Sequence, residues 1–209
     1  MRKRFYRPKD ELKKLLVIKI AVCIVMLIIF FSLLVAYYAS HLTDKANCLR
    51  GPARDAVLTV CANGGYLSPA SFVGYHSYSV PFYKDKDVEN VPSMEDVKKG
   101  ILQYLKENAP ECGDDIEVRI KGDDVKVGSA FSHTTIDVDM KEIYDEAVKL
   151  YTKQKDTSVI SLAELARMAK EGDYIMQINA NNDTILYLLS FTEEEIGGIP
   201  VVYSFGIRR

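Results

Sequence analysis

The sequence is poor in residues that build metal and redox sites. It holds three histidines in 209 residues, at His41, His76 and His133, and no Cys-x-x-Cys pair. A zinc site therefore has no ligand spacing to rest on. The 12 glycines form neither a dinucleotide-binding loop nor a P-loop. Asp114, Asp115, Asp123 and Asp124 are acidic enough to attract calcium, but no Asp-x-Asp-x-Asp-Gly loop with its distant Glu surrounds them. They read as acidic turns at strand ends, and Glu193-Glu194-Glu195 reads as a solvated hairpin region. No internal repeat or low-complexity tract is present. No cofactor is expected.

Charge is also missing from Ile20 to Ala39, a run of 20 residues in which Ser32 is the one strongly polar side chain. As a helix it spans about 30 Å, the thickness of a bilayer's hydrocarbon core. Tyr37 and Tyr38 suit the interface at one end, and the stem of Lys19 can snorkel at the other. A signal peptide has a shorter apolar region followed by small residues at its cleavage site. Here Tyr37 and Tyr38 crowd that position, so the run is read as a retained anchor, with residues 15–39 as the transmembrane helix. A buried core helix rarely needs so long an uninterrupted run.

Charge sets the expected orientation. Residues 1–14 hold seven basic side chains (Arg2, Lys3, Arg4, Arg7, Lys9, Lys13 and Lys14) against Asp10 and Glu11. The chain beyond Ala39 is acidic in balance, so the overall charge of −2 averages two unlike parts. Basic flanks stay inside. The expectation is a cytoplasmic tail (1–14), the span, and one domain outside the cytoplasm (40–209) at the cell membrane. The lipid bilayer is one partner, and the basic tail favours its anionic head groups. An acidic exterior argues against nucleic acid.

Roughly 170 residues outside the span are enough for one domain with a sizeable core. Thr43–Asn63 is predicted helical with an interruption at Gly51-Pro52, an apolar stripe of Leu49, Ala53, Val57 and Val60, and a stop at Asn63-Gly64-Gly65. Tyr66–Pro92, with Pro69, Pro81 and Pro92, reads as an irregular aromatic-rich loop. Its rings Phe72, Tyr75, Tyr78, Phe82 and Tyr83 are candidates for an interaction surface. The alternative is a loop packing those rings onto its own domain.

Ser93 with Asp96, Asp139 with Glu142, and Ser161 with Glu164 each mark a helix start. Asn108-Ala109-Pro110 and Gly172 mark helix ends. Alternation predicts strands at Ile116–Lys121, around Val125–Val127, at Phe131–Val138, Tyr174–Ala180, Thr184–Phe191 and Pro200–Ile207. Strands cluster rather than alternate with helices. The predicted class is α+β, with a mainly antiparallel sheet and helices packed on one side.

Of four cysteines, Cys23 lies in the span. If residues 48–61 are helical, Cys48 and Cys61 stand roughly 20 Å apart, beyond disulfide reach. Cys48 sits near a helix start and Cys112 just after a helix end, so the pairing chosen is Cys48–Cys112. Cys61, in the apolar stripe, is expected buried, and a thiol site there has no His at supporting spacing. Asn182-Asp183-Thr184 is an N-glycosylation sequon in a predicted turn, which makes Asn182 a modification candidate.

The order of landmarks resembles a family. A basic tail and anchor precede a helix that opens at Cys48-Leu49 and ends at Gly64-Gly65-Tyr66-Leu67 before Pro69. An aromatic stretch with Pro81-Phe82-Tyr83 leads through Pro92-Ser93 to a helix closing near Cys112. Asn182-Asp183-Thr184-Ile185 and a last strand with Tyr203 and Phe205 follow. Together these resemble uncharacterised, single-pass membrane-anchored surface proteins of small-genome archaea, over most of residues 1–209. The resemblance implies a retained anchor and the Cys48–Cys112 pairing; Cys61 departs from the family's pattern, which makes it an extra, unpaired thiol. It implies no activity.

The leading expectation is a non-enzymatic surface module that binds a protein or envelope partner. A pilin-like assembly subunit is the alternative, opposed by the lack of a Gly before the apolar run and by Lys19 where an acidic residue would stand. An envelope enzyme using Cys61 or the acidic turns is the third reading.

Overall fold

The structure is a computed structural model. It describes residues 8–209 apart from 77, 131, 158–160 and 182; within the first helix it excludes the side chains of 8–15, 21 and 39–46. Residues 1–7 of the basic tail, Phe131 of the third predicted strand and the Asn182 sequon therefore lie outside the described residues. The chain divides into two compact units, Met1–Asp44 and Lys45–Arg209.

The first unit holds α1 (Pro8–Asn47) up to Asp44. Its stretch Leu16–Tyr38, 23 residues with mean hydropathy 3.0, is long and apolar enough to cross a membrane. That length corresponds to about 34 Å of helix. Ser32, the polar exception, donates its hydroxyl to the carbonyl of Ile28 at 2.8 Å, so the side chain is satisfied within the helix.

The second unit is α+β. It contains α2 (Arg50–Ala62), β1 (Phe72–Tyr75), β2 (Tyr78–Asp85), β3 (Val88–Glu89), α3 (Met94–Asn108), β4 (Glu117–Lys121), β5 (Asp124–Gly128), β6 (His133–Asp137), α4 (Met140–Gln154), α5 (Leu162–Glu171), β7 (Tyr174–Ala180), β8 (Thr184–Glu195) and β9 (Pro200–Arg208). The single, mainly antiparallel sheet expected from the sequence is corrected to two sheets among the described residues. One is mixed, in the order β1-β2-β9-β8-β7 with β3 beside β2, and the other is β4-β5-β6. The mixed character comes from β2, which runs parallel to β9. The small sheet is antiparallel throughout, with Val118 facing Val127 and Ile136 facing Val125.

Helix starts follow their caps. Ser93 and Asp96 form a reciprocal capping box on α3. Asp139 accepts from the Glu142 amide at 2.8 Å, and Ser161 accepts from the Glu164 amide at 3.4 Å. Glu142 does not close the box in return. Glu194, on β8, accepts from the Asp139 amide instead, at 3.0 Å. That bond corrects the reading of Glu193–Glu195 as merely solvated.

The interruption expected at Gly51-Pro52 lies earlier, at Cys48 and Leu49, and Leu49 caps α2. Pro52 falls in the first turn, where an amide has no intrahelical acceptor, so its missing N–H costs nothing there. The predicted stripe Leu49, Ala53, Val57 and Val60 is fully buried. It enters the main core with Ile101 and Leu105 of α3, Ile143 and Leu150 of α4, and Tyr187, Leu189, Tyr203 and Phe205 of the large sheet.

Candidate functional site

The segment read as an irregular loop is corrected to a β-hairpin arm. β1 pairs with the first half of β2, from Tyr75 against Tyr78 to Phe72 against Pro81. From Phe82 onward β2 pairs with β9 instead. Pro81 stands where the strand changes partners, a place that suits a residue with no amide to donate. His76 makes the tip with φ +53°.

The arm lies across the face of the large sheet that looks away from the main core. Val80 and Phe82 form a second, separate apolar cluster with Leu186 and Leu188 of β8, and Val73, Tyr75 and Tyr78 pack against it. At the far side of the face the Tyr75 hydroxyl accepts from Nε2 of Gln177 on β7, at 3.1 Å. That contact passes over β9 and β8. The Arg208 guanidinium covers the Phe82 ring at 4.6 Å from its centroid and pairs with Asp85, which also accepts from Ser71 at 2.7 Å. Arg208 first, then Ser71, hold the Asp85 carboxyl below its usual 3.8.

What parts β2 from β9 is the end of α2. Gly64, at φ +57°, occupies the gap between Pro81 and the Ser204 carbonyl, and a Cβ would come within 2.6 Å of the Pro81 ring. The Ser204 hydroxyl donates to the carbonyl of Ala62. The Ser79 amide donates to Oδ1 of Asn63 at 3.2 Å, and the Tyr83 hydroxyl donates to the carbonyl of Gly64 at 3.0 Å. The stop signal Asn63-Gly64 thus also directs the arm outward.

The five ring residues proposed as an interaction surface separate accordingly. Phe72 is 52% exposed. Tyr75 and Tyr78 are half-buried. Phe82 and Tyr83 are 3% and 0% exposed, which removes them from any surface. Tyr83 stacks on Phe205 at 4.9 Å, and Phe205 stacks in turn on Tyr187 at 5.0 Å. Alternation explains the split: Phe82 turns to the outer cluster and Tyr83 to the main core.

The three cysteines of the second unit have fixed uses. Cys48 and Cys112 form a disulfide, with α-carbons 5.7 Å apart. Cys61 is buried and donates to the Met140 sulfur at 3.5 Å, not to a histidine. Burial pushes its thiol up from 9.0 to about 12, which leaves it protonated and inert. Among the described residues, one group of three His, Cys, Asp or Glu ligand atoms lies close together: Cys48, Glu111 and Cys112. Its two sulfurs are already bonded to each other.

Two of the four acidic turn residues are likewise engaged. Asp115 accepts from the Ala130 amide at 3.1 Å, and Asp124 pairs with Lys126 at 2.7 Å. His133 is exposed and lies over Gly128, where a Cβ would meet its ring at 2.6 Å. Sequence reasoning missed Gln177, Ser204 and Glu194, whose partners are remote in the chain and leave no local pattern. No family model, no curated protein and no solved structure matches the chain.

Proposed function

We propose that the chain is a single-pass membrane protein with its N-terminus in the cytoplasm, and that residues 40–209 are a non-enzymatic binding module for a protein or envelope partner at the cell surface. The observation that carries this reading is the pairing of an exposed apolar helix, Leu16–Tyr38, with a compact unit that bears a disulfide. Disulfides persist in oxidising compartments, and the basic tail supports the orientation. The non-enzymatic reading is supported by the engagement of Cys61, Asp115, Asp124 and Glu194 in packing, ion pairs and backbone bonds. Phe72 is the most exposed of the five candidate rings.

In-cell crosslinking of the tagged full chain, with mass spectrometry of what is captured, tests the reading. A specific, stoichiometric heterologous partner is the expected result. A ladder of self-crosslinks without one favours the assembly subunit, which the basic end, apolar helix and β-rich unit also suit. N-terminal sequencing separates that alternative, since a processed filament subunit would begin near Leu15.

A further inference from the structure

β7 ends the large sheet, and among the described residues no backbone group pairs with its outer edge. An open edge is a row of unpaired amides and carbonyls, and proteins blunt such edges with short length, charge, proline or a bulge. The other edges use these devices. β1 has four residues and β3 two. β4 carries Glu117, Arg119 and Lys121, and β6 carries His133 and Asp137. β7 has none: Tyr174-Ile175-Met176-Gln177-Ile178-Asn179-Ala180 runs seven residues without charge, proline or glycine, in unbroken register with β8.

The outward row of this strand is Ile175, Gln177 and Asn179, all exposed, with Ile175 at 65%. Tyr75 ties Gln177 down from the arm, so the middle of the row is already ordered. Ordering before contact lowers the cost of association.

We infer that β7 is a self-association edge, at which a second copy of this chain adds its own β7 antiparallel to form one continuous sheet. Backbone pairing demands an extended strand as the occupant. An isologous two-fold contact demands that the same patch be compatible with itself. An uncharged strand meets that demand, because no like charges face each other across the axis. A two-fold axis normal to the sheet brings the row Ile175, Gln177, Asn179 against its own copy and keeps Met176 and Ile178 on the core side. A seven-residue contact is small, so the dimer is a weak one.

The test uses the purified full chain in a mild detergent, with a photo-crosslinking residue in place of Asn179 and, in a parallel sample, of Arg119 on β4. A dimer-sized product is expected from position 179 and not from 119. Ile175→Lys, an exposed site where the fold tolerates a charge, should lower the yield about tenfold, and Gln177→Lys should do the same. No dimer-sized product from position 179, or equal yields with either lysine variant, would overturn the inference. A product that survives both lysines would place the contact elsewhere, including in the apolar helix.

Discussion

The hydroxyls of Tyr83 and Tyr203 lie 2.8 Å apart with both residues fully buried. Tyr83 also reaches the Gly64 carbonyl, which can only accept. The Tyr83 proton therefore goes to Gly64, and Tyr203 donates to Tyr83. The two phenols are not equivalent. Tyr203→Phe removes a donor whose acceptor still holds its own bond, and should cost about 1 kcal/mol. Tyr83→Phe leaves both the Tyr203 hydroxyl and the Gly64 carbonyl unpaired, and should cost more, up to about 3 kcal/mol. Urea unfolding of the two variants checks the order. Equal losses would overturn this assignment of the protons.

The same burial makes the fold sensitive to base. Desolvation pushes Cys61 from 9.0 to about 12 and holds Tyr83 and Tyr203 well above 10.0. The unfolded chain releases these protons at ordinary values while the folded chain keeps them. Their contribution is therefore whole below about pH 9 and is lost as pH rises, first through Cys61 and from about pH 10 through the tyrosines. Each group adds a slope of about 1.4 kcal/mol per pH unit within its window. Cys61→Ala should flatten the loss between pH 9 and 10, read from urea midpoints. Asp85 acts in the opposite sense: held below 3.8, it contributes above that value and less as pH falls below it.

Local chemistry was legible in the sequence, and long-range placement was not. Ser93, Asp139 and Ser161 announce their helices because a cap is decided within four residues. Tyr174–Ala180 is a strand in both readings because its alternation is a one-strand property. The arm failed for the opposite reason. Pro69, Pro81 and several serines weigh against a strand locally, and only the long-range contacts of Gly64 and β9 give β2 its partners. Likewise Glu194 replaces Glu142 in the cap of α4, which no spacing rule could show.

The Cys48–Cys112 bond closes a sequence separation of 64 residues that includes the whole arm. The chain-entropy model assigns such a closure about 4 kcal/mol. Reduction of the full chain should lower its unfolding free energy, read from urea titration, by up to that amount, and Cys112→Ala should match the reduced wild type. Cys61→Ala should leave the response to reductant unchanged, since Cys61 is outside the bond. A wild-type midpoint indifferent to reductant would overturn the expectation.

The arm rests on a cluster that is separate from the main core, and this decides how it should open. Val80, Phe82, Leu186 and Leu188 form that cluster, and Val73, Tyr75 and Tyr78 of the arm pack against it. Lifting Phe72–Pro81 would break that cluster and the Tyr75–Gln177 bond while leaving Tyr203 and Phe205 packed. Such a segment should exchange its amides by a local opening that costs less than global unfolding. Tyr75→Phe removes one bond whose other partner can turn to water, a loss of about 1 kcal/mol or less, so arm amides should exchange up to about fivefold faster. Leu188→Ala takes more from the cluster, about 2 kcal/mol or more, and should accelerate the arm further. In both variants the amides of β9 should accelerate much less than those of β1. Equal acceleration in β1 and β9, read by hydrogen exchange with mass spectrometry, would mean that arm and core open together.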